Sequence, residues 1–179
     1  MRQNIIKYGL ISGVIIVAIP LLSGLAMGYS EDTFEMGEII GYSTMIFSLM
    51  VIFIAAKKYQ EQNPTEIMGF KKIFLLGTGI SLIAGIMFGI YNVVHVTYID
   101  PDFMDKYYDY AIKNIRNSGI NVEAANLQIT EIESQKEMFM SPMVNFFLMF
   151  ITVFVIGLAV SVVSALFQRD KLNTQSSIS

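Results

Sequence analysis

The sequence predicts an all-α membrane protein: four transmembrane helices with an extracytoplasmic helical hairpin between the third and fourth. Three observations carry that prediction. Hydrophobic residues make up 54% of the 179-residue chain and charged residues only 15%, against about 25% charge in an ordinary soluble domain. Mean hydropathy is +0.55. The charges are also clustered, so that Tyr8–Ser30, Ile39–Ala56, Ile73–Ile99 and Met138–Gln168 contain none over 23, 18, 27 and 31 residues. A helix needs about 20 apolar residues to cross a hydrocarbon core of roughly 30 Å. The same composition excludes disorder and most soluble enzymes. A net charge of −3 offers no general attraction to nucleic acid. With no cysteine, disulfides, thiolate chemistry and cysteine-based zinc sites are excluded too.

The first span is expected over residues 8–28. Arg2 and Lys7 ahead of it, with Ala26-Met27-Gly28 behind, also fit a cleaved signal peptide. The apolar run is longer than the apolar stretch of such a peptide, however, and it carries glycines at helix-packing spacing, which favours an uncleaved helix. The second span is expected over 38–56. After it, Asn63-Pro64-Thr65-Glu66 combines an N-cap, a first-turn proline and an acid at the capping-box position. That order predicts a short interfacial helix leading into the third span, 73–97, with Phe70, Phe74 and the neighbouring lysines at the headgroup level.

The insert at 100–140 is the one part large enough to be more than a connector. Asp100-Pro101 reads as an N-cap and first-turn pair. Phe103, Tyr107, Ala111 and Ile115 then recur every four residues, flanked by Met104, Tyr108 and Ile112, so that one face is broadly apolar. Asn117-Ser118-Gly119 ends this helix and Asn121 is placed to cap the next. Val122, Ala125, Ile129, Ile132 and Phe139 repeat at helical spacing in the second helix. Two amphipathic helices joined by a short turn pack face to face. Ser141-Pro142 then starts the fourth span, 143–167, with proline at its first position. A flexible cytoplasmic tail is expected over 168–179.

Lysine and arginine set the orientation. Eight of the twelve lie at the N-terminus, between 57 and 72, and after 168; four lie between 100 and 137, and none in the loop at 30–38. Both termini are therefore expected in the cytoplasm. Twelve of the fifteen acids then lie outside, making the outer face acidic.

These residues resemble a known family. The second helix carries Gly41-Tyr42 and ends Phe53-Ile54-Ala55-Ala56-Lys57-Lys58-Tyr59. The third opens Gly69-Phe70-Lys71-Lys72-Ile73-Phe74, then Gly77. The insert opens Tyr98-Ile99-Asp100-Pro101-Asp102-Phe103 and closes on Ser141-Pro142. In this order, over roughly residues 5 to 168, the chain resembles the bacterial integral membrane family catalogued as domain of unknown function 4199. The resemblance implies an architecture and a multi-pass place in the bacterial inner membrane. It implies no catalytic residues.

Small residues recur every four positions at Gly77, Ser81, Gly85 and Gly89, with Gly157, Ser161 and Ala165 in the fourth helix and Gly37-Gly41 starting the second. Such stripes let helix backbones approach closely in lipid. They serve packing within one chain or, as the sharper alternative, a seam with a second copy. His95, the only histidine, stands one turn from Asn92. With Asn145 these form the one polar group a transport path would use, and His95 alternatively reads as an interfacial or packed residue. Asp100, Asp102, Asp105 and Asp109 lack the alternating spacing of a calcium loop and read as helix caps and a solvated face. Tyr8, Tyr29, Tyr42, Tyr59, Tyr91 and Tyr98 fall near span ends, as an aromatic belt does. Apart from Glu38 at the first position of the second span, no charge lies within a span, and intramembrane charges are the usual mark of ion-coupled transport.

The expectation is thus a non-enzymatic structural or interaction protein without cofactor or metal. Its partners are the lipid bilayer and an envelope protein, another membrane protein or a second copy, met through the hairpin. The alternatives are a subunit of an oligomeric transporter or channel and, third, an intramembrane enzyme. No nucleic acid is expected.

Overall fold

The computed structural model describes residues 1–176 except Thr65 and Ile67, with the side chains of Glu31 and of 169–176 also outside the description. Among the described residues the chain forms seven α-helices and no strand: α1 (Arg2–Met27), α2 (Glu31–Leu49), α3 (Val51–Gln62), α4 (Phe70–Val94), α5 (Phe103–Asn117), α6 (Val122–Met140) and α7 (Pro142–Ser176). A π-helical turn, His95–Ile99, extends α4. Four helical stretches are long and apolar enough to cross a membrane: Arg2–Met27, Asp32–Gln62, Phe70–Ile99 and Pro142–Gln168. This is the architecture of a multi-pass membrane protein. The expected tail at 168–179 falls on residues whose side chains, and from 177 their backbone, lie largely outside the described residues.

The second span is longer than the charge pattern implied, because α2 and α3 run on through Lys57 and Lys58 to Gln62. Both lysines are exposed, and long cationic side chains reach the interface from a buried stem. The two helices join at Met50, whose N–H is shared between the Ile46 and Phe47 carbonyls at 3.1 and 3.2 Å. Beside this tightened turn the buried Ser12 hydroxyl of α1 donates to the Ser48 carbonyl at 2.9 Å. A side chain inserted into a helix's carbonyl ladder is a recognised cause of such irregularity.

The expected interfacial helix after Asn63 does not form among the described residues of 63–69. Asn63 ends α3 instead of starting a new helix: its side-chain amide donates back to the Tyr59 carbonyl at 2.9 Å. Glu66 is likewise turned to other work, accepting from the Tyr59 hydroxyl at 2.9 Å and pairing with Lys72 at 3.2 Å. The tyrosine bond and then the lysine hold its carboxyl below the usual glutamate range.

α4 is the central helix, packed most extensively on α7 and next on α1. Its core side chains Ile73, Leu76, Ile80 and Ala84 are fully buried. The small-residue stripe sets the α4–α7 register. A Cβ on Gly77 would lie 2.2 Å from Ser161 Oγ, and one on Gly157 would lie 2.1 Å from Ser81 Oγ. Each serine hydroxyl bonds the glycine carbonyl four residues back in its own helix, Ser81 to Gly77 at 2.8 Å and Ser161 to Gly157 at 2.6 Å. Glycine on one helix therefore receives serine from the other, twice, in antiparallel register. Further along, Gly85 faces Phe150 and Gly89 faces Phe146. On α1, Gly9 and Gly13 admit Ile83 and Met87 of α4. Gly37 and Gly41 depart from the expectation: a Cβ at either would meet nothing within 4 Å.

The α5–α6 pair forms as the turn residues imply. Gly119 takes φ +75°, the left-handed region open to glycine. Asn121 Oδ1 caps α6 by accepting from the Ala124 amide at 2.7 Å. Lys136, near the end of α6, bonds Asp105 at the start of α5 at 2.7 Å, so the two helices run antiparallel. Asp100 differs from its expected capping role. The N-cap of α5 is Asp102, while Asp100 is buried and paired with Lys106 at 2.8 Å.

Candidate functional site

Where the α5–α6 pair covers the ends of the spans, side chains from separate helices do not close completely. A cavity of about 580 Å³ is walled by α2, α4 and α7 and roofed by α5 and α6. A smaller one of about 190 Å³ lies against α1 and the end of α4. The two share Glu38, Gly41, Asn92, Phe103 and Tyr107 as lining residues, so they meet along one wall. Gly41 contributes to both by having no side chain, which accounts for the empty space around it.

Most of the larger wall is apolar: Met45, Met104, Ile132, Phe139, Leu148 and Met149. Its polar members are few. Asn145 is 3% exposed, and its side-chain amide donates to the carbonyls of Phe139 and Ser141, tying the last turn of α6 to the first of α7. Thr152 bonds within its own helix, to the Leu148 carbonyl at 2.8 Å. The Tyr107 hydroxyl donates to Glu38 Oε1 at 2.8 Å, fastening α5 to α2. Burial first, then the Glu38 carboxylate, pushes the Tyr107 phenol well above the usual tyrosine range.

The smaller cavity is aromatic. His95, 4% exposed, stands edge-on to Tyr29 at 4.7 Å and Phe103 at 5.0 Å, with Tyr91 at 5.7 Å. Phe34 meets Phe103 and Tyr107 at 5.6 and 5.7 Å. The π-helical turn is closed by the Asp100 amide on the His95 carbonyl at 2.9 Å, a five-residue step that places buried His95 and buried Asp100 at its two ends. Such single turns are often found at functional sites. Three buried polar atoms in this region, Asn92 Oδ1, His95 Nδ1 and Asp100 Oδ2, have no hydrogen-bond partner. Buried polar groups are nearly always satisfied, so their concentration in one place marks it.

The three polar residues singled out in the sequence are thereby placed. Asn92 and Asn145 line the larger cavity, and Asn92 and His95 the smaller. Asn92 is the link between them. The six small residues Gly77, Ser81, Gly85, Gly89, Gly157 and Ser161 lie apart from this site, at the α4–α7 contact. Of the tyrosines expected as a belt, Tyr98 is 78% exposed and Tyr42 57%, but Tyr59 is buried, and Tyr29 and Tyr91 belong to the rings around His95. The sequence reading missed Glu38, Gly41, Phe34, Phe103 and Tyr107 as site residues. Gly41 was read as a helix-packing residue, a role that the open space around it does not bear out. Among the described residues no group of three acidic or histidine side chains is arranged to hold a metal ion.

No curated protein and no solved structure matches the chain. Residues 7–170 match the family model described as Protein of unknown function (DUF4199). The match spans all four apolar helical stretches and the α5–α6 pair, and by it the chain belongs to that family.

Proposed function

We propose that this is a non-enzymatic protein of the bacterial inner membrane that acts by contact, with both termini cytoplasmic and the α5–α6 pair as its extracytoplasmic contact element. One observation carries the reading. The base of the pair is fastened to the spans by Lys106–Asp100 and Tyr107–Glu38, whereas its far end presents Ile120, Val122 and Leu127 at 41, 76 and 69% exposure. A turn fixed at its base with apolar side chains held outward suits contact with another envelope or membrane protein.

The test is a photo-crosslinking residue at Leu127 in intact cells, with Phe47, exposed within the apolar stretch Asp32–Gln62, as the control. Adducts of discrete mass at Leu127 and none at Phe47 support contact through this surface. Their absence at Leu127 and at Val122 refutes it. The cavities support a second reading, a subunit of an oligomeric transporter or channel, because Asn92 lines both, with Asn145 in the larger and His95 in the smaller. Under that reading alanine at these three abolishes the phenotype of the protein in cells, while Val122→Ser and Leu127→Ser leave it intact.

A further inference from the structure

We propose that the larger cavity binds a single-chain amphiphile with a protonated amine head, its ammonium group between Glu38 and Asn92 and its chain along Met45, Leu148 and Met149. This goes beyond contact through the outer turn and concerns a different surface.

Shape is the first argument. A cavity of about 580 Å³ is in the usual range for small-molecule sites, which are mostly apolar with a few convergent polar groups. The lining residues that remain exposed, Glu38, Tyr42 and Leu148, mark its mouth on α2 and α7, two membrane helices. An apolar chain lying in the bilayer reaches such a mouth without crossing water.

Charge is the second. Apart from His95, Glu38 is the only ionisable side chain other than tyrosine on either wall, and no lysine or arginine lines them. Lys106 and Lys136, on the two helices of the roof, are committed to Asp100 and Asp105. An anionic head would therefore meet a carboxylate without a compensating cation, whereas an ammonium gains one.

The third argument is the kind of polar atom left over. On the cavity wall Asn92 Oδ1 is an acceptor without a donor, and Glu38 receives one hydrogen bond, from Tyr107. A site with surplus acceptors calls for a ligand that donates, and an ammonium carries three N–H groups. Phe34 and Phe103 beside Glu38 add ring surfaces that tolerate a cation.

The chain has no tryptophan, so Leu148→Trp places a single reporter on the wall. The full-length protein in phosphatidylcholine nanodiscs is titrated with dodecylammonium carrying bromine at its chain end, and in parallel with the equivalent bromolaurate. Bromine quenches tryptophan on contact. The expected result is saturable quenching by the ammonium, roughly fivefold tighter than by the carboxylate. Glu38→Gln, whose amide oxygen still accepts from Tyr107, removes that preference. Gly41→Leu extends a side chain into the cavity from a position where a Cβ meets nothing within 4 Å, and removes saturable quenching by both probes. Its thermal stability does not fall, because leucine is the better helix former. Equal quenching by the two probes, or quenching unchanged by Gly41→Leu in a protein of unaltered stability, is bilayer partitioning and overturns the proposal.

Discussion

Replacing Gly157 by alanine should loosen the protein through a contact that a second substitution repairs. The added Cβ would lie 2.1 Å from Ser81 Oγ and 2.4 Å from Ser81 Cβ. Rotating the hydroxyl relieves the first clash. The second involves an atom fixed to the α4 backbone, so the helices must part by roughly an ångström to restore ordinary contact near 3.5–4.0 Å. Overpacking of this kind costs about 1–3 kcal/mol, offset by about 0.5–1 kcal/mol because alanine is the better helix former. The expected net loss for Gly157→Ala is about 1–2 kcal/mol. Ser81→Gly alone should cost about 0.5–1 kcal/mol from helix propensity, and no interhelical bond, since the Ser81 hydroxyl serves its own helix. In the double variant the glycine has simply changed sides. Equilibrium unfolding in mixed dodecyl sulfate micelles, run as a double-mutant cycle, should show a favourable coupling of about 1 kcal/mol. Strict additivity of the two losses would refute the interlocked register.

Two further outcomes follow from the site. Lys106→Met leaves the Asp100 carboxylate, 8% exposed, without its cation, and should cost about 1–2 kcal/mol in the same unfolding assay; Asp100→Asn in that background should recover part of the loss. The Tyr107 phenol, raised by burial and by Glu38, keeps its proton in the folded state after an unfolded tyrosine would lose it. Its contribution is therefore intact below about pH 10 and fades as pH rises beyond that value. Ultraviolet titration of phenolate in the folded protein should show Tyr107→Phe removing one of the last groups to ionise.

Features set by local chemistry are legible in the sequence. Long uncharged runs marked the four apolar helices, Pro142 marked the start of α7, and Asn121 and Gly119 marked the turn between α5 and α6. Features that depend on which helix faces which were not. Asn63 carries the same signal for ending a helix as for starting one, and only its bond to the Tyr59 carbonyl decides between them. Asp100-Pro101 reads as a cap until Lys106 reaches back to the carboxylate. The spacing of Gly37 and Gly41 matches that of Gly9 and Gly13, yet Ile83 and Met87 of α4 fill the notches at one pair and nothing fills the other. The cavity is the extreme case. Asn92 and Asn145 lie on different helices, and no periodicity along one chain reveals that they border a common space. The π-helical turn escaped for a related reason: the step from Asp100 to the His95 carbonyl accompanies the burial of His95 among rings from the α1–α2 turn, α4 and α5.

Everything proposed for the α5–α6 pair rests on its lying across the membrane from the termini, and reporter fusions test that directly. Fusions after residues 35, 62, 120 and 175 should read outside, inside, outside, inside, with the signal at 120 as strong as that at 35. A cytoplasmic signal at 120, with 62 also cytoplasmic, would contradict the account, because α4 could not then cross the membrane and the α5–α6 pair could not meet an extracytoplasmic partner.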